Sequence, residues 1–594
     1  MIAVSSQLRA SALAFLLLVI FVRSAQSQTP AEICSRAPSG SAITSPKNLA
    51  SLNGTLEVNL SLRNYSPPDG RMRYCYIASN GSQSPTLRVS PGDLLVLKLK
   101  NDLSLPAAPV MAHAHSSSDD CGSGVMSPAS TNLHFHGLAV PPVCHQDETV
   151  RTLIQPSDSA FEYRLRIPAG TPPGLYWYHP HPHGFSEEQV LGGASGALIV
   201  EGIERANRAA AGLPERVFII RDEKLQNPRP ANAAPDPNQP GKDLSINFIP
   251  VPYPTYPLAI IPMKPSQREF WRVLNASADT YLDLKLLFNG KPQFLGVIAL
   301  DGAPIGYSDG APRDHILWES HLALPPAGRA EFIVNGPPSG VDARLITQAV
   351  ETGPVYDADS LRPPNSATAA PAASATGANT SDDDNTPARP LARVEVFPDA
   401  VEPAPLPSVS LPLGSSEMPP LMSVQPVRER KFYFSEKLQN PADPNSATTF
   451  YITEEGKTPE AYDPSSIAPN ITVHQGEVED WLIENRSQET HAFHIHQTHF
   501  IVLQRHGVPV DEPYLRDTIN VPYWDGFAPQ YPSIKLRLDF RDPAIVGTFP
   551  YHCHILQHED GGMMGTIEVL RAVQASRTRR FAPAANPASG KLSP

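Results

Sequence analysis

Apolar and polar residues alternate with a strict period of two in three widely separated stretches of this chain. Phe161, Tyr163, Leu165 and Ile167 alternate with Glu162, Arg164 and Arg166; Leu282, Leu284 and Leu286 with Asp283 and Lys285; Ile534, Leu536, Leu538 and Phe540 with Lys535, Arg537 and Asp539. Successive side chains of a strand point to opposite faces, so each stretch reads as a half-buried strand. Proline makes a helical alternative poor. It supplies 66 of the 594 residues, about 11% against a usual ~5%, and each one removes a backbone donor that helix interiors and central strands need. An all-β chain is the expectation. At roughly 150 residues per domain the length suggests about four units, or three if they are large β-sandwiches.

Composition along the chain places the boundaries. A Pro/Arg segment near Asn227–Gly241 follows the apolar strand Ala197–Val200, residues 365–390 are rich in Ala, Ser, Thr and Asp and too polar to bury a core, and 398–427 is rich in proline. These shifts divide the chain into units at 40–205, 212–397 and 428–571, followed by a basic, then Ala/Pro-rich tail at 574–594 that is expected to be disordered. An apolar run from Ala10 to Val22 follows Arg9 and precedes the small residues Ser24, Ala25 and Ser27. Residues 1–27 therefore read as a cleaved export signal, and the mature chain as exported, periplasmic or secreted, without a transmembrane segment. No twin arginine precedes the run, so the chain is expected to leave the cytoplasm unfolded and to acquire any metal afterwards.

The formal net charge is −13, which would repel phosphate backbones and excludes nucleic acid as a natural partner. Of the five cysteines, local pairing in an oxidising compartment joins Cys34 with Cys75 and Cys121 with Cys144, leaving Cys553 over.

The chemical signal lies in four His-x-His pairs: His134 and His136, His179 and His181, His494 and His496, His552 and His554. In a strand, residues i and i+2 share a face about 7 Å apart, so each pair can present two imidazoles to one space but to different metal ions. His113 and His115 repeat the pattern in a Ser/Asp-rich loop and are read as surface residues. Cys553 sits inside the last pair, in Tyr551-His552-Cys553-His554. Period two sends its sulfur to one face and both imidazoles to the other, so one short strand can join a mononuclear centre to a cluster. His558, Met563 beyond a Gly561-Gly562 bend, and the upstream His491 complete a His, His, Cys and weak axial Met set, that of a blue-copper centre. Zinc competes less well, because zinc sites rarely use a thioether.

With these motifs the chain resembles the multicopper oxidases, a family that includes laccases, bilirubin and ascorbate oxidases, ferroxidases and cuprous oxidases. The resemblance rests on Leu133-His134-Phe135-His136-Gly137, Trp177-Tyr178-His179-Pro180-His181, His491-Ala492-Phe493-His494-Ile495-His496 and His552-Cys553-His554 through His558 to Met563, with Ala492 where proline is common. It implies three cupredoxin-like Greek-key β-sandwich domains and four copper ions. A type 1 copper would take His491, Cys553 and His558 with Met563 as axial ligand, Met564 being the adjacent alternative. A type 2 copper would take His134 and His494. One type 3 copper would take His136, His179 and His554, and the other His181, His496 and His552. The first and last units would pack around the cluster, and the middle unit, recognised in Arg268-Glu-Phe-Trp-Arg and Leu324-Pro-Pro-Ala-Gly-Arg329, would be a spacer and pocket wall.

The implied activity is one-electron oxidation of a donor at the type 1 copper, coupled through Cys553 to four-electron reduction of dioxygen to water, by a monomer. With nine methionines in all and no cluster beyond Met418 and Met422, a phenolic or other aromatic donor is the default. A metallo-oxidase acting on cuprous or ferrous ions and a non-catalytic copper-binding protein are the alternatives; a two-domain copper nitrite reductase would not need four His-x-His pairs. Asp147, eleven residues after His136, and Glu559, directly after His558, occupy positions where the family commonly has acids. Both are expected to deliver protons to reduced oxygen.

Overall fold

The structure, a computed structural model, describes residues 33–572 apart from 106–113, 117–120, 122, 229, 231–235, 237, 308–313, 354–385, 409–417, 441–445 and 467. The expected signal at 1–27, the tail at 574–594, His113, and most of the 365–390 segment lie outside the described residues. All three alternating stretches are strands: Phe161–Arg166, Leu282–Phe288 and Ser533–Phe540. Helix among the described residues is confined to Ser186–Leu191, Ile203–Ala206, Leu556–Asp560 and short 3-10 turns. No helix there is long and apolar enough to cross a membrane. Cys34 is bonded to Cys75 and Cys121 to Cys144, and Cys553 is free and buried.

The fold is all-β and cupredoxin-like, built as three successive pairs of sheets, of four and five, eight and six, and six and five strands. Each pair encloses its own apolar core: Leu56, Leu97, Tyr163 and Leu198 in the first, Phe218, Trp271, Leu284 and Leu345 in the middle, Phe432, Trp481, Leu536 and Phe549 in the last. Two expected boundaries shift. Arg389 and Pro390 pair with Thr347 and Ile346, and Thr386 forms an isolated bridge to Val350, so the last residues of the expected polar insert join the middle unit. A strand forms there because Arg389, though charged, is buried with its guanidinium on the Lys242 carbonyl. Part of the proline-rich 398–427 also packs, with Pro405 bridged to Pro214 and Leu406 buried.

The first and middle pairs dock through a second apolar cluster that includes Leu175, Trp177, Ile199, Ile219 and Leu274. A buried charge chain runs alongside it, from Arg88 to Glu215, Arg272 and Glu331, whose Oε1 accepts the Leu175 N–H at 2.7 Å. Gly174 lies at the tightest point: a Cβ there would sit 2.3 Å from the Gly302 carbonyl oxygen, a backbone atom with no rotamer to change. Gly174→Ala should destabilise the chain by about 1–3 kcal/mol, the usual range for overpacking. A denaturant midpoint equal to that of the parent would show that the interface is looser than these distances.

Candidate metal centres

The four histidine pairs reach one space because each lies at or next to the end of a strand at the junction of the first and last units. His134–His136 is an edge strand, antiparallel to Gly174–His179 with His134 opposite His179. Directly opposed residues share a face, so His134, His136 and His179 project together. His181 follows just beyond the strand and is fixed by Asn132, whose Oδ1 accepts its N–H at 2.6 Å and whose Nδ2 donates to its carbonyl at 3.2 Å. In the last unit His491–Ile495 runs between Thr518–Val521 and Gly547–Cys553, with His494 opposite His552 and Phe493 opposite Cys553.

The two units close on one another through their imidazoles. His134 stacks on His496 with ring centres 3.8 Å apart, and His136 on His494 at 3.9 Å. His552 Nε2 lies 3.3 Å from His181 Nε2 and 3.2 Å from His496 Nε2. All eight rings are buried. His554 lies on the other side, 5.1 Å from the His136 ring and 5.5 Å from His179.

Hydrogen bonds assign which nitrogen of each ring is available. His134 donates from Nδ1 to Asp147, 3.1 Å from both carboxylate oxygens, His179 from Nδ1 to the Pro180 carbonyl at 2.9 Å, His494 from Nδ1 to the Asp517 carbonyl at 2.8 Å, and His552 from Nδ1 to the Cys553 carbonyl at 2.8 Å. His136 is the exception, donating from Nε2 to Asp517 Oδ1 at 3.3 Å. The opposite nitrogens, His134 Nε2, His136 Nδ1, His179 Nε2 and His494 Nε2, together with His496 Nδ1 and both nitrogens of His554, are buried and have no hydrogen-bond partner among the described residues. Buried imidazole nitrogens are rarely left unmet, and a ring whose far N–H is held by an acceptor is the usual form of a metal ligand. Burial drives the rings of His136, His179, His181, His494, His496 and His554 far below the usual histidine range and His552 down to about 3, so they are neutral, the state in which imidazole binds a metal. The site fits metal ions.

On the opposite face of the same strand, Cys553 Sγ lies 3.7 Å from His491 Nδ1 and 3.8 Å from His558 Nδ1, the two nitrogens being 3.1 Å apart. His491 donates from Nε2 to Ser487 Oγ at 2.7 Å and His558 from Nε2 to Glu489 Oε1 at 3.0 Å, so both Nδ1 atoms face the sulfur. Burial pushes the Cys553 thiol up, and a thiolate here calls for a cation beside it. The Cys553 N–H donates to the Met563 carbonyl at 3.1 Å, and Met563 is buried in the core cluster that holds Cys553. Met564 instead pairs with His552 across the sheet, which gives its side chain the histidine face.

The two acids differ in setting. Asp147 is bound by the Phe135 N–H at 2.9 Å and by Gln497 Nε2 at 2.5 Å besides His134, so its carboxylate orients that ring. Glu559 is fully buried, 3.5 Å from His181 Nδ1 and 3.3 Å from His552 Nδ1. Burial, and then the neighbouring Asp560, raise its carboxyl well above the usual range. Sequence reading passed over Asp517, Ser487 and Glu489, since a single polar residue beside a strand carries no pattern. It also placed Arg329 in a spacer, whereas the side chain reaches Asp517 in the last unit. Of the other histidines, His499 has its Nε2 3.2 Å from the Asp301 carbonyl and 3.8 Å from Asp517 Oδ2, and His183 packs edge-on against Tyr462 with ring centres 4.8 Å apart. His115 lies on the short strand Ala114–Ser116, away from the named sites in sequence.

Residues 125–205 and 439–572 each match a family model described as multicopper oxidase. A multicopper oxidase of Staphylococcus haemolyticus is 24% identical over 494 residues, covering 82% of this chain and 81% of its own. A laccase of Bacillus subtilis is 30% identical over 121 residues, 18% of this chain and 22% of its own. Among solved structures, a multicopper oxidase of Campylobacter jejuni described as a metallo-oxidase superposes with a TM-score of 0.60 at 22% identity, covering 90% of this chain and 96% of its own. A laccase-like enzyme of Ochrobactrum sp. with activity towards lignin model compounds does so with a TM-score of 0.58 at 19% identity, covering 89% and 100%.

Proposed function

Because this chain belongs to the multicopper oxidase family and is a copper oxidoreductase that uses dioxygen, we propose that it oxidises an aromatic, laccase-like donor at a type 1 copper and reduces dioxygen to water at a trinuclear cluster. The observation that carries this reading is the strand Gly547–Cys553 and the residue after it, where Cys553 faces His491 and His558 while His552 and His554 face six further histidines. Four copper ions are the corresponding complement. The type 1 ion would be held by His491, Cys553, His558 and Met563, the type 2 ion by His134 and His494, and the type 3 ions by His136, His179 and His554 and by His181, His496 and His552. Copper, when bound, supplies one-electron storage and the binding of dioxygen.

The chain's own residues do the rest. Cys553 and its two neighbouring histidines form a continuous covalent path between the centres, so donor and dioxygen never have to meet. Glu559, placed between His181 and His552, supplies protons, and Asp147 holds the His134 tautomer while standing within reach of the same space. The division into units at 40–205, 212–397 and 428–571 is supported by the three separate cores. Export follows from the amino-terminal segment and the two disulfides, which belong to an oxidising compartment.

The donor class rests on what covers the type 1 histidines. Ser487, which caps His491, accepts the Trp524 N–H at 2.8 Å through its carbonyl, and Trp524 packs on Tyr531 with ring centres 5.1 Å apart. Phe527 on the same loop is 88% exposed, so an aromatic donor would meet aromatic surface next to the His491 edge. A second reading is favoured at His558. Glu489 on its Nε2, pushed up to about 8 by burial and by Asp279, is hydrogen-bonded to Glu436, and a group of acids suits a cuprous or ferrous ion. Specificity constants for a phenol, bilirubin, a ferrous and a cuprous donor, measured with oxygen uptake, separate the readings. The phenol should rank first; a metal ion in that place moves the donor site to Glu489, and no uptake with any donor leaves a copper-binding protein. Met563→Leu should keep the blue absorption and raise the reduction potential, since the thioether donates weak electron density. An unchanged potential, with a shift in Met564→Leu, would transfer the axial role by one residue.

A further inference from the structure

The middle unit contributes no histidine to either centre, yet one of its side chains enters the support of the eight-histidine space. Arg329 begins the strand Arg329–Asn335, is completely buried, and crosses to the last unit. Its Nη1 donates to Asp517 Oδ1 at 2.7 Å and its Nη2 to Asp517 Oδ2 at 2.5 Å. Two of the other three donors are tied to backbone, Nε to the Leu175 carbonyl at 3.2 Å and the second N–H of Nη1 to the Ala327 carbonyl at 3.0 Å. A guanidinium engaged in this way leaves the carboxylate a single orientation, which a lysine could not impose.

That orientation is read by a histidine of the first unit, while the main chain of the same residue holds one of the last. Asp517 Oδ1 accepts His136 Nε2–H at 3.3 Å and the Thr518 hydroxyl at 2.9 Å, while the Asp517 carbonyl accepts His494 Nδ1–H at 2.8 Å. His136 thereby carries its proton on Nε2 and turns Nδ1 inward, the reverse of His134, His179 and His494. Nothing else among the described residues bonds His136 Nε2, so its tautomer depends on this one carboxylate. The pair also lies against the backbone of the first motif. A Cβ on Gly137, whose φ is +88°, would stand 2.7 Å from Arg329 Nη2 and 2.8 Å from Asp517 Oδ2.

We propose that Arg329 and Asp517 are a positioning pair through which the middle unit sets the metal-binding nitrogen of His136, so that the cluster site is complete only with all three units docked. This rests on the reading of the eight histidines as copper ligands. A ligand whose outer N–H acceptor is removed typically loses about 10–100-fold in metal affinity. Asparagine at 517 is worse than a simple loss, because its amide can donate to His136 Nε2 and drive the proton onto Nδ1, the nitrogen the metal needs.

The test compares parent, Asp517→Asn and Arg329→Lys as full chains, titrated with copper and followed by copper bound per chain, by the blue absorption of the Cys553 centre and by electron paramagnetic resonance. Nitrogen-15 resonances of His136 in the copper-free proteins report its tautomer. Blue absorption and anaerobic reduction by the donor should stay at the parent level in both variants. Cluster copper should bind about 10–100-fold more weakly, and His136 of Asp517→Asn should move its proton from Nε2 to Nδ1. Parent-like cluster affinity with an unmoved His136 proton overturns the proposal. If Asp517→Asn loses the blue centre as well, Arg329→Lys decides, because Arg329 lies in a different unit from Cys553. A parent that takes up copper only at the Cys553 centre overturns the reading of the eight histidines instead.

Discussion

Cys553→Ser should lower turnover with every donor to background and remove the blue absorption, while the eight-histidine space keeps its copper. Serine has nearly the shape of cysteine, so the completely buried position creates neither cavity nor clash. Its hydroxyl can hydrogen-bond His491 or His558, both within 4 Å of the present sulfur. What it cannot supply is the soft thiolate that selects copper at this centre and gives it its colour. Copper should fall by about one ion per chain, with type 2 resonance retained. Blue absorption persisting in this variant would mean that another sulfur is the ligand, and all remaining assignments on that strand face would fall with it.

Glu559→Gln should leave the blue absorption and its rapid anaerobic reduction at the parent level but slow reoxidation by dioxygen, by about 10²-fold or more if the residue acts as a general acid. Forming two waters consumes four protons in a space otherwise lined by neutral imidazoles, and Glu559 is the group there whose carboxyl is raised, chiefly by burial. The sign follows from that direction. Below its raised value the parent's carboxyl carries a proton, so parent reoxidation should hold steady there and decline as the pH rises through that value. The glutamine variant depends on solvent protons throughout, so its deficit should widen with pH across the same range. Equal reoxidation in parent and variant over this window would return Glu559 to a structural role. Asp147→Asn is expected to slow the same phase, but Asp147 also bonds His134, the Phe135 N–H and Gln497. Part of its effect will therefore come through the His134 tautomer, and copper content must be measured beside the rate.

The donor question shows why the two centres differ in how far they can be read. Most of the proposed ligand set is local: Cys553, His558 and Met563 fall at fixed offsets along one strand and the turn after it. What approaches the outer edges of His491 and His558 is not, because Ser487, Trp524 and Glu489 come from loops whose course depends on packing. The same contrast separates Glu559, adjacent in sequence to a ligand, from Asp517, which becomes visible only when the strand Thr518–Val521 is laid beside His491–Ile495.

The sequence by itself determined the all-β class, the three alternating strands, both disulfide pairs and the ten histidines and one cysteine that gather at the two sites. Periods of two and spacings of five and ten residues are written along the chain and survive any arrangement of the units. Tertiary structure alone decided which nitrogen His134 and His136 turn inward, because the acceptors that hold the other nitrogen lie 13 residues away for His134 and 381 for His136. It also decided that the middle unit is more than a spacer. An arginine in a strand of ordinary pattern gives no sign that its guanidinium will be buried against an aspartate 188 residues later, and only the docking of three separately closed cores brings the two together.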